Sequence, residues 1–278
     1  MKNIKLYIAL FIISLSVISC EDVVNVDLDT APPKLVVDAS IKWEKGTTGE
    51  NQIIKLTTTT DFYSNTIPVA TGATVIVTNT TLSTPVSFQF IEDGQTGEYV
   101  CSNFSPIINN EYALTITYQG QTYTSKSKFM PTPIISKTEQ SVKPGIEGKD
   151  VYEIKFYWQD NGAEDNFYLV GAKNANVAYP EYGALSDEFY QGNEMFAFYR
   201  DDELEKGDVI AFSIQGITEQ YNNYMTKILS IAGSDGGSPF ATPPATVRGN
   251  IINQTKPDDY PLGFFHLSEI DSDTYTIE

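Results

Sequence analysis

Residues 34–42 alternate without a break. Leu35, Val37, Ala39 and Ile41 fall on one side, and Val36, Asp38, Ser40 and Lys42 on the other. Apolar side chains at every second position share one face only on an extended backbone, so the stretch reads as a half-buried strand. The same period returns at 52–60, 73–78, 86–91, 111–118 and 122–128. Within 111–118, Tyr112, Leu114, Ile116 and Tyr118 make another inward row. Tyr118-Gln119-Gly120-Gln121 has the composition of a tight hairpin turn with a positive φ at Gly120, and Glu92-Asp93-Gly94 reads as a second turn. Short strands at regular spacing, with no helical period between them, predict an immunoglobulin-like β-sandwich over 34–130.

Met130-Pro131-Thr132-Pro133 interrupts the pattern. Two prolines around one residue keep the chain extended and end strand pairing, so 131–135 is expected to be a linker. A second β-rich domain is predicted over 136–278. Tyr152, Ile154, Phe156 and Trp158 share one face there, with further strands at 167–172, 194–199 and 208–214 and closing strands around Phe264-Phe265-His266 and Tyr275-Thr276-Ile277. This half carries the one helical stretch, near 218–232. Thr218 can cap it, Tyr221, Tyr224, Met225, Ile228, Ile231 and Ala232 recur at helical spacing, and Gly233 can stop it. A Gly/Pro/Ser loop is expected at 234–245. The fold class is therefore all-β: an immunoglobulin-like sandwich followed by a second β-rich domain with one α-helix.

The first residues have a different logic. Lys2 and Lys5 precede an apolar run over 6–17 broken only by serines, and Val17-Ile18-Ser19-Cys20 closes it. That order of basic, apolar and small residues is a secretion signal over 1–19, and the run is too short to span a bilayer as a helix. The closing tetrapeptide resembles the bacterial lipobox. The resemblance implies cleavage before Cys20, diacylglycerol on its thiol and a further acyl chain, such as palmitate, on the new amine. Two or more chains anchor a protein stably, whereas one holds it only marginally. Residues 20–33, acidic and ending at Pro32-Pro33, then read as a tether.

The 278 residues carry 18 Lys+Arg against 36 Asp+Glu, a net charge of −18. So acidic a chain is a poor partner for nucleic acid or anionic lipid. With Cys20 acylated, Cys101 has no thiol partner and reads as a small buried hydrophobe. The chemical inventory is thin. His266 is the only histidine and stands between Phe265 and Leu267, where a packed strand residue is the simpler reading. There is no Gly-x-Ser-x-Gly elbow, no HExxH pair and no phosphate-cradling glycine loop. No catalytic residue, cofactor or metal is predicted. The acidic loop at 160–166 has oxygen ligands for calcium but lacks EF-hand spacing, and a polar turn is the plainer reading. Aromatics remain as ligand contacts: Trp43 beside a Gly/Thr-rich loop, and Tyr182 and Tyr190 in a stretch that reads as irregular.

Several segments taken in order resemble one family. They are the lipobox with Lys34-Leu35-Val36-Val37, Gly72-Ala73-Thr74-Val75, Gly97-Glu98-Tyr99, Tyr112-Ala113-Leu114 and Gly120-Gln121-Thr122-Tyr123. After Pro131 and Pro133 come Asn166-Phe167-Tyr168, the Tyr221/Tyr224 helix, Pro243-Pro244 and Gly263-Phe264-Phe265. Thr246-Val247-Arg248-Gly249-Asn250 follows the pattern only loosely. Over the whole mature chain the sequence is similar to the Bacteroidetes lipoprotein family known as domain of unknown function 4249. That resemblance implies an outer-membrane lipoprotein, often found with a TonB-dependent transporter, and brings over no catalytic residue. The expected function is a non-enzymatic cell-surface lipoprotein that captures a glycan or peptide nutrient for such a barrel. The alternative is a free-standing adhesin or glycan-binding lipoprotein using aromatics such as Trp43. A carboxylate-dependent hydrolase is the third reading.

Overall fold

The computed structural model describes residues 32–61, 64–145, 148, 150–232 and 247–278. The signal peptide, Cys20, the tether through residue 31, the Gly233 stop and the 234–245 loop lie outside the described residues.

The first half contains β1 (Leu35–Glu44), β2 (Gln52–Thr58), β3 (Thr74–Asn79), β4 (Val86–Glu92), β5 (Glu98–Cys101), β6 (Glu111–Tyr118) and β7 (Gln121–Met130). The second contains β8 (Ile135–Pro144), β9 (Asp150–Gln159), β10 (Phe167–Asn174), β11 (Glu181–Ser186), β12 (Glu194–Arg200), β13 (Val209–Ile217), helix α1 (Glu219–Ala232), β14 (Ile252–Asn253) and β15 (Leu262–Thr276). The described chain is thus all-β with one helix.

Strand β15 organises the topology. Its first part pairs in parallel with β1, from Val36 opposite Leu262 to Glu44 opposite Ile270. Leu267 and Ser268 also pair in parallel with Phe129 and Met130 of β7. The order β15-β1-β2-β5-β4-β3-β6-β7 therefore returns to its start, giving an eight-stranded barrel-like ring. The alternating rows read from the sequence line its interior: Val37, Ala39 and Ile41, then Tyr112, Leu114 and Ile116, are all fully buried. Phe90, Tyr99, Phe129, Phe265 and the free Cys101 complete this core. Each fully buried Leu, Ile, Val or Phe contributes about 1.5–3 kcal/mol of transfer free energy. The β6–β7 hairpin turns at Gln119 (φ 47°) and Gly120 (φ 74°), and the two positive values make the primed turn that matches strand twist.

The far part of β15 pairs antiparallel with β13, and β10 and β11 continue that sheet outward. A three-stranded sheet, β12-β9-β8, covers its inner face. Ile154, Phe156 and Trp158 meet Tyr168, Val170, Phe212 and Ile214 there, with the Phe156 and Phe212 rings 4.3 Å apart. Residues Pro33–Glu278 form one compact unit. Within it, the 131–135 segment is fastened to β13 and β15. Thr132 N donates to Glu269 Oε2 (3.0 Å), Ile135 N donates to Asp271 Oδ2 (2.7 Å), and Gly216 leaves room for the Pro131 carbonyl.

Four strands, among them the two-residue β14, carry no alternating signal. β5 has only four residues. β8 is an almost wholly polar edge strand. β11, which holds Tyr182, was expected to be irregular; it pairs with β10 despite Gly183, because the Tyr182 ring covers the bare backbone of Gly171 opposite it.

Candidate functional site

Helix α1 lies on the outer face of the β11-β10-β13-β15 sheet, over a small cluster of Leu169, Ile217, Tyr221 and Phe264. Its start is set locally: Tyr221 N donates to Thr218 Oγ1 (3.2 Å), the cap expected from the sequence. Tyr221 then stacks on His266, with ring centroids 3.8 Å apart at 17°. Tyr224, one turn on, packs on Phe264 at 4.9 Å. With those two rings facing the sheet, Gln220, Asn223, Lys227 and Ser230 are carried along the neighbouring side of the helix.

The opposing wall is the segment Val247-Arg248-Gly249. Its position is imposed by close backbone contact: a Cβ on Gly249 would overlap the Gly263 carbonyl oxygen. Gly263, at φ 95°, is in turn pressed on the carbonyl of Val37. Asn250 completes the clamp. Its Nδ2 donates to Phe265 O (2.8 Å), while Phe265 N donates to its Oδ1 (2.9 Å), so one side chain substitutes for a strand partner. Arg248 then stands over the Tyr260 ring at 3.8 Å, with the Lys34 ammonium 3.5 Å from the same ring.

Between these walls is an open cleft of about 560 Å³, within the 300–1,000 Å³ usual for small-molecule sites. Tyr224 and Phe264 form an aromatic floor, Gln220 and Asn223 supply carboxamides, and Lys227 and Arg248 supply charge. Among the described residues no acidic side chain lines it. The charge of Asp38, on β1, reaches Tyr224 and, after burial, helps hold its phenol above the usual pKa. Tyr182 and Tyr221 are raised for the same two reasons, so all three phenols stay protonated. His266 is fully buried, and desolvation, with the charge of Lys42 second, pushes its pKa down to about 3. It stays a neutral packing ring, with Nδ1 3.3 Å from Ser268 Oγ.

The structure distributes the three predicted aromatic contacts. Trp43 is half-buried at the edge of the barrel core, edge-on to Phe129 at 6.3 Å, and its Nε1 donates to Thr47 O (2.9 Å). Tyr182 lines a separate cleft of about 280 Å³ with Phe156, Phe196 and Phe198. Tyr190 is exposed in the turn after β11, where its N–H donates to Asp187 O (2.6 Å). In the 160–166 loop, Asp160 is buried and both its oxygens are used: Oδ1 accepts from Tyr168 OH (2.7 Å) and Oδ2 from Gly192 N (2.7 Å). Among the described residues no group of three His, Cys, Asp or Glu side chains is placed to hold a metal. Lys227 and Arg248 both line the α1 cleft, and no motif in the sequence marks either. Their signal was rarity: Lys227 is the only cation of α1, and Arg248 is one of two arginines in the chain.

No curated protein matches the chain. Among solved structures, a crystal structure of the chicken CNTN1 FN1–FN3 domains is similar at 12% identity and a TM-score of 0.27, over 68% of this chain and 63% of that one. The family model described as a domain of unknown function, DUF4249, matches residues 21–274, and the chain belongs to that family.

Proposed function

We propose that this protein is a non-enzymatic lipoprotein of the bacterial outer membrane. It is tethered through acylated Cys20, exposed at the cell surface, and captures a nutrient as the accessory of a TonB-dependent barrel. The observation that carries the capture role is the open cleft between α1 and 247–249, which offers stacking, amide and charged contacts to a solute. The neutral, enclosed state of His266 supports binding over catalysis, because proton transfer needs a group within reach of the substrate. The anchor and the transporter rest on the signal at 1–20 and on the resemblance of the chain to Bacteroidetes lipoproteins. We read strands β1 to β7 as an immunoglobulin-like sandwich. One layer is β1-β2-β5, the other β4-β3-β6-β7, and β15 fills the seam between β1 and β7.

Affinity purification of the tagged full-length protein from detergent-solubilised outer membranes is the test. Recovery of a stoichiometric TonB-dependent barrel is expected. Recovery of the lipoprotein alone, from cells expressing the barrel, would replace this reading with a free-standing binding protein. Cys20→Ser is expected to release the protein from the membrane fraction.

A further inference from the structure

We infer that the α1/248 cleft takes an acidic saccharide, a chain of pyranose rings bearing carboxylates. The inference rests on the capture role proposed above and names its ligand class. Acids outnumber bases two to one in this chain, yet among the described residues the lining of the cleft contains two cations and no acid. Lys45, Lys55, Lys126, Lys137, Lys143 and Lys155 are each paired with a glutamate elsewhere. Neither Lys227 nor Arg248 forms an ion pair with a described residue. Arg248 also shares the Tyr260 ring with Lys34, which puts a third cation beside the cleft without lining it. An uncompensated pair of charges against an aromatic floor is complementary to an anion.

The remaining lining says what kind of anion. Tyr224, half-buried and backed by the buried Phe264, offers the cleft aromatic surface suited to the C–H face of a pyranose. Gln220 and Asn223 each carry a donor and an acceptor, the pairing that neighbouring hydroxyls require. A bare phosphate or sulfate would use the cations and the amide donors but leave the aromatic floor and the amide acceptors idle. A neutral sugar would use the floor and the amides and leave the cations unmatched.

Titration calorimetry of the full-length lipoprotein in detergent decides the matter, with trigalacturonate and its fully methyl-esterified form as probes. The acid is expected to bind at least tenfold more tightly than the ester. That advantage should shrink as salt is raised. Arg248→Gln and Lys227→Gln should each weaken the acid about five- to tenfold while leaving the ester unchanged; both residues are exposed, so folding should be retained. Tyr224→Ala should weaken both probes. Equal binding of acid and ester would overturn the inference while leaving capture of a neutral sugar standing. No binding of the acid would overturn it outright, and barrel co-purification would still report on the accessory role independently. Tight acid binding unaffected by Arg248→Gln and Lys227→Gln would place the ligand elsewhere and equally overturn it.

Discussion

His266 should make this protein acid-sensitive between pH 7 and pH 5. In the folded state the ring is enclosed between β15 and Tyr221, with a pKa near 3. In the unfolded chain it returns to about 6.5. A histidine with a depressed folded pKa contributes fully above the unfolded value and loses that contribution as pH falls toward the folded one. In this window the unfolded state binds the extra proton, so stability rises with pH by about 1.4 kcal/mol per unit from this one group. From pH 7 to pH 5 the loss is about 2 kcal/mol. The measurement is urea unfolding at pH 5, 6 and 7, followed by the fluorescence of Trp43 and Trp158, for the wild type and for His266→Phe and His266→Leu. The carboxylates titrate alike in all three proteins and cancel in the difference. The variants cost stability at pH 7, and that deficit should narrow by about 2 kcal/mol at pH 5. A deficit that stays constant across the range would refute the reasoning, since it would mean that the buried ring is free to take up a proton in the folded state.

Two further substitutions test the frame of the cleft. Gly249→Ala drives a methyl group into the Gly263 carbonyl, so it should cost about 1–3 kcal/mol in the urea midpoint and displace Arg248, weakening anion binding as well. Thr218→Ala removes the cap on Tyr221 N and should cost about 1 kcal/mol, with the loss seen as reduced helical ellipticity and a lower melting temperature.

The barrel interior was legible because each row depends only on local alternation. Val37, Ala39 and Ile41 must share a face whatever their neighbours are, and Tyr112, Leu114 and Ile116 likewise. The helix was legible for the same reason, with its cap and aromatic positions written into 218–232. Ring closure was not. β1 and β15 pair in parallel across more than two hundred residues, and nothing in either strand marks the other as its partner. The site failed to show for a related reason. Trp43 looked available because it sits beside a glycine-rich loop, but Gly49 tucks beneath its indole and Phe129 closes the side, so the ring is used in packing. Arg248 looked like an ordinary loop residue. Its placement depends on two backbone contacts, Gly249 on Gly263 and Gly263 on Val37, that only the folded chain brings together.

The position of β15 also fixes the timing of folding. Every residue of the seam, from Leu262 to Thr276, comes from the final stretch of the chain, yet it joins β1 to β7 and β1 to β13. Until that stretch arrives, β1 and β7 are open edges, and the sheet of β13 and β10 lacks its neighbour. Contacts this distant in sequence carry a large loop-closure cost and form slowly. The ring therefore stays open until residues 262–270 pair with β1 and β7. Until then the free sides of β1 and β7 present unpaired backbone N–H and C=O groups, the feature that makes edge strands prone to pair with other chains.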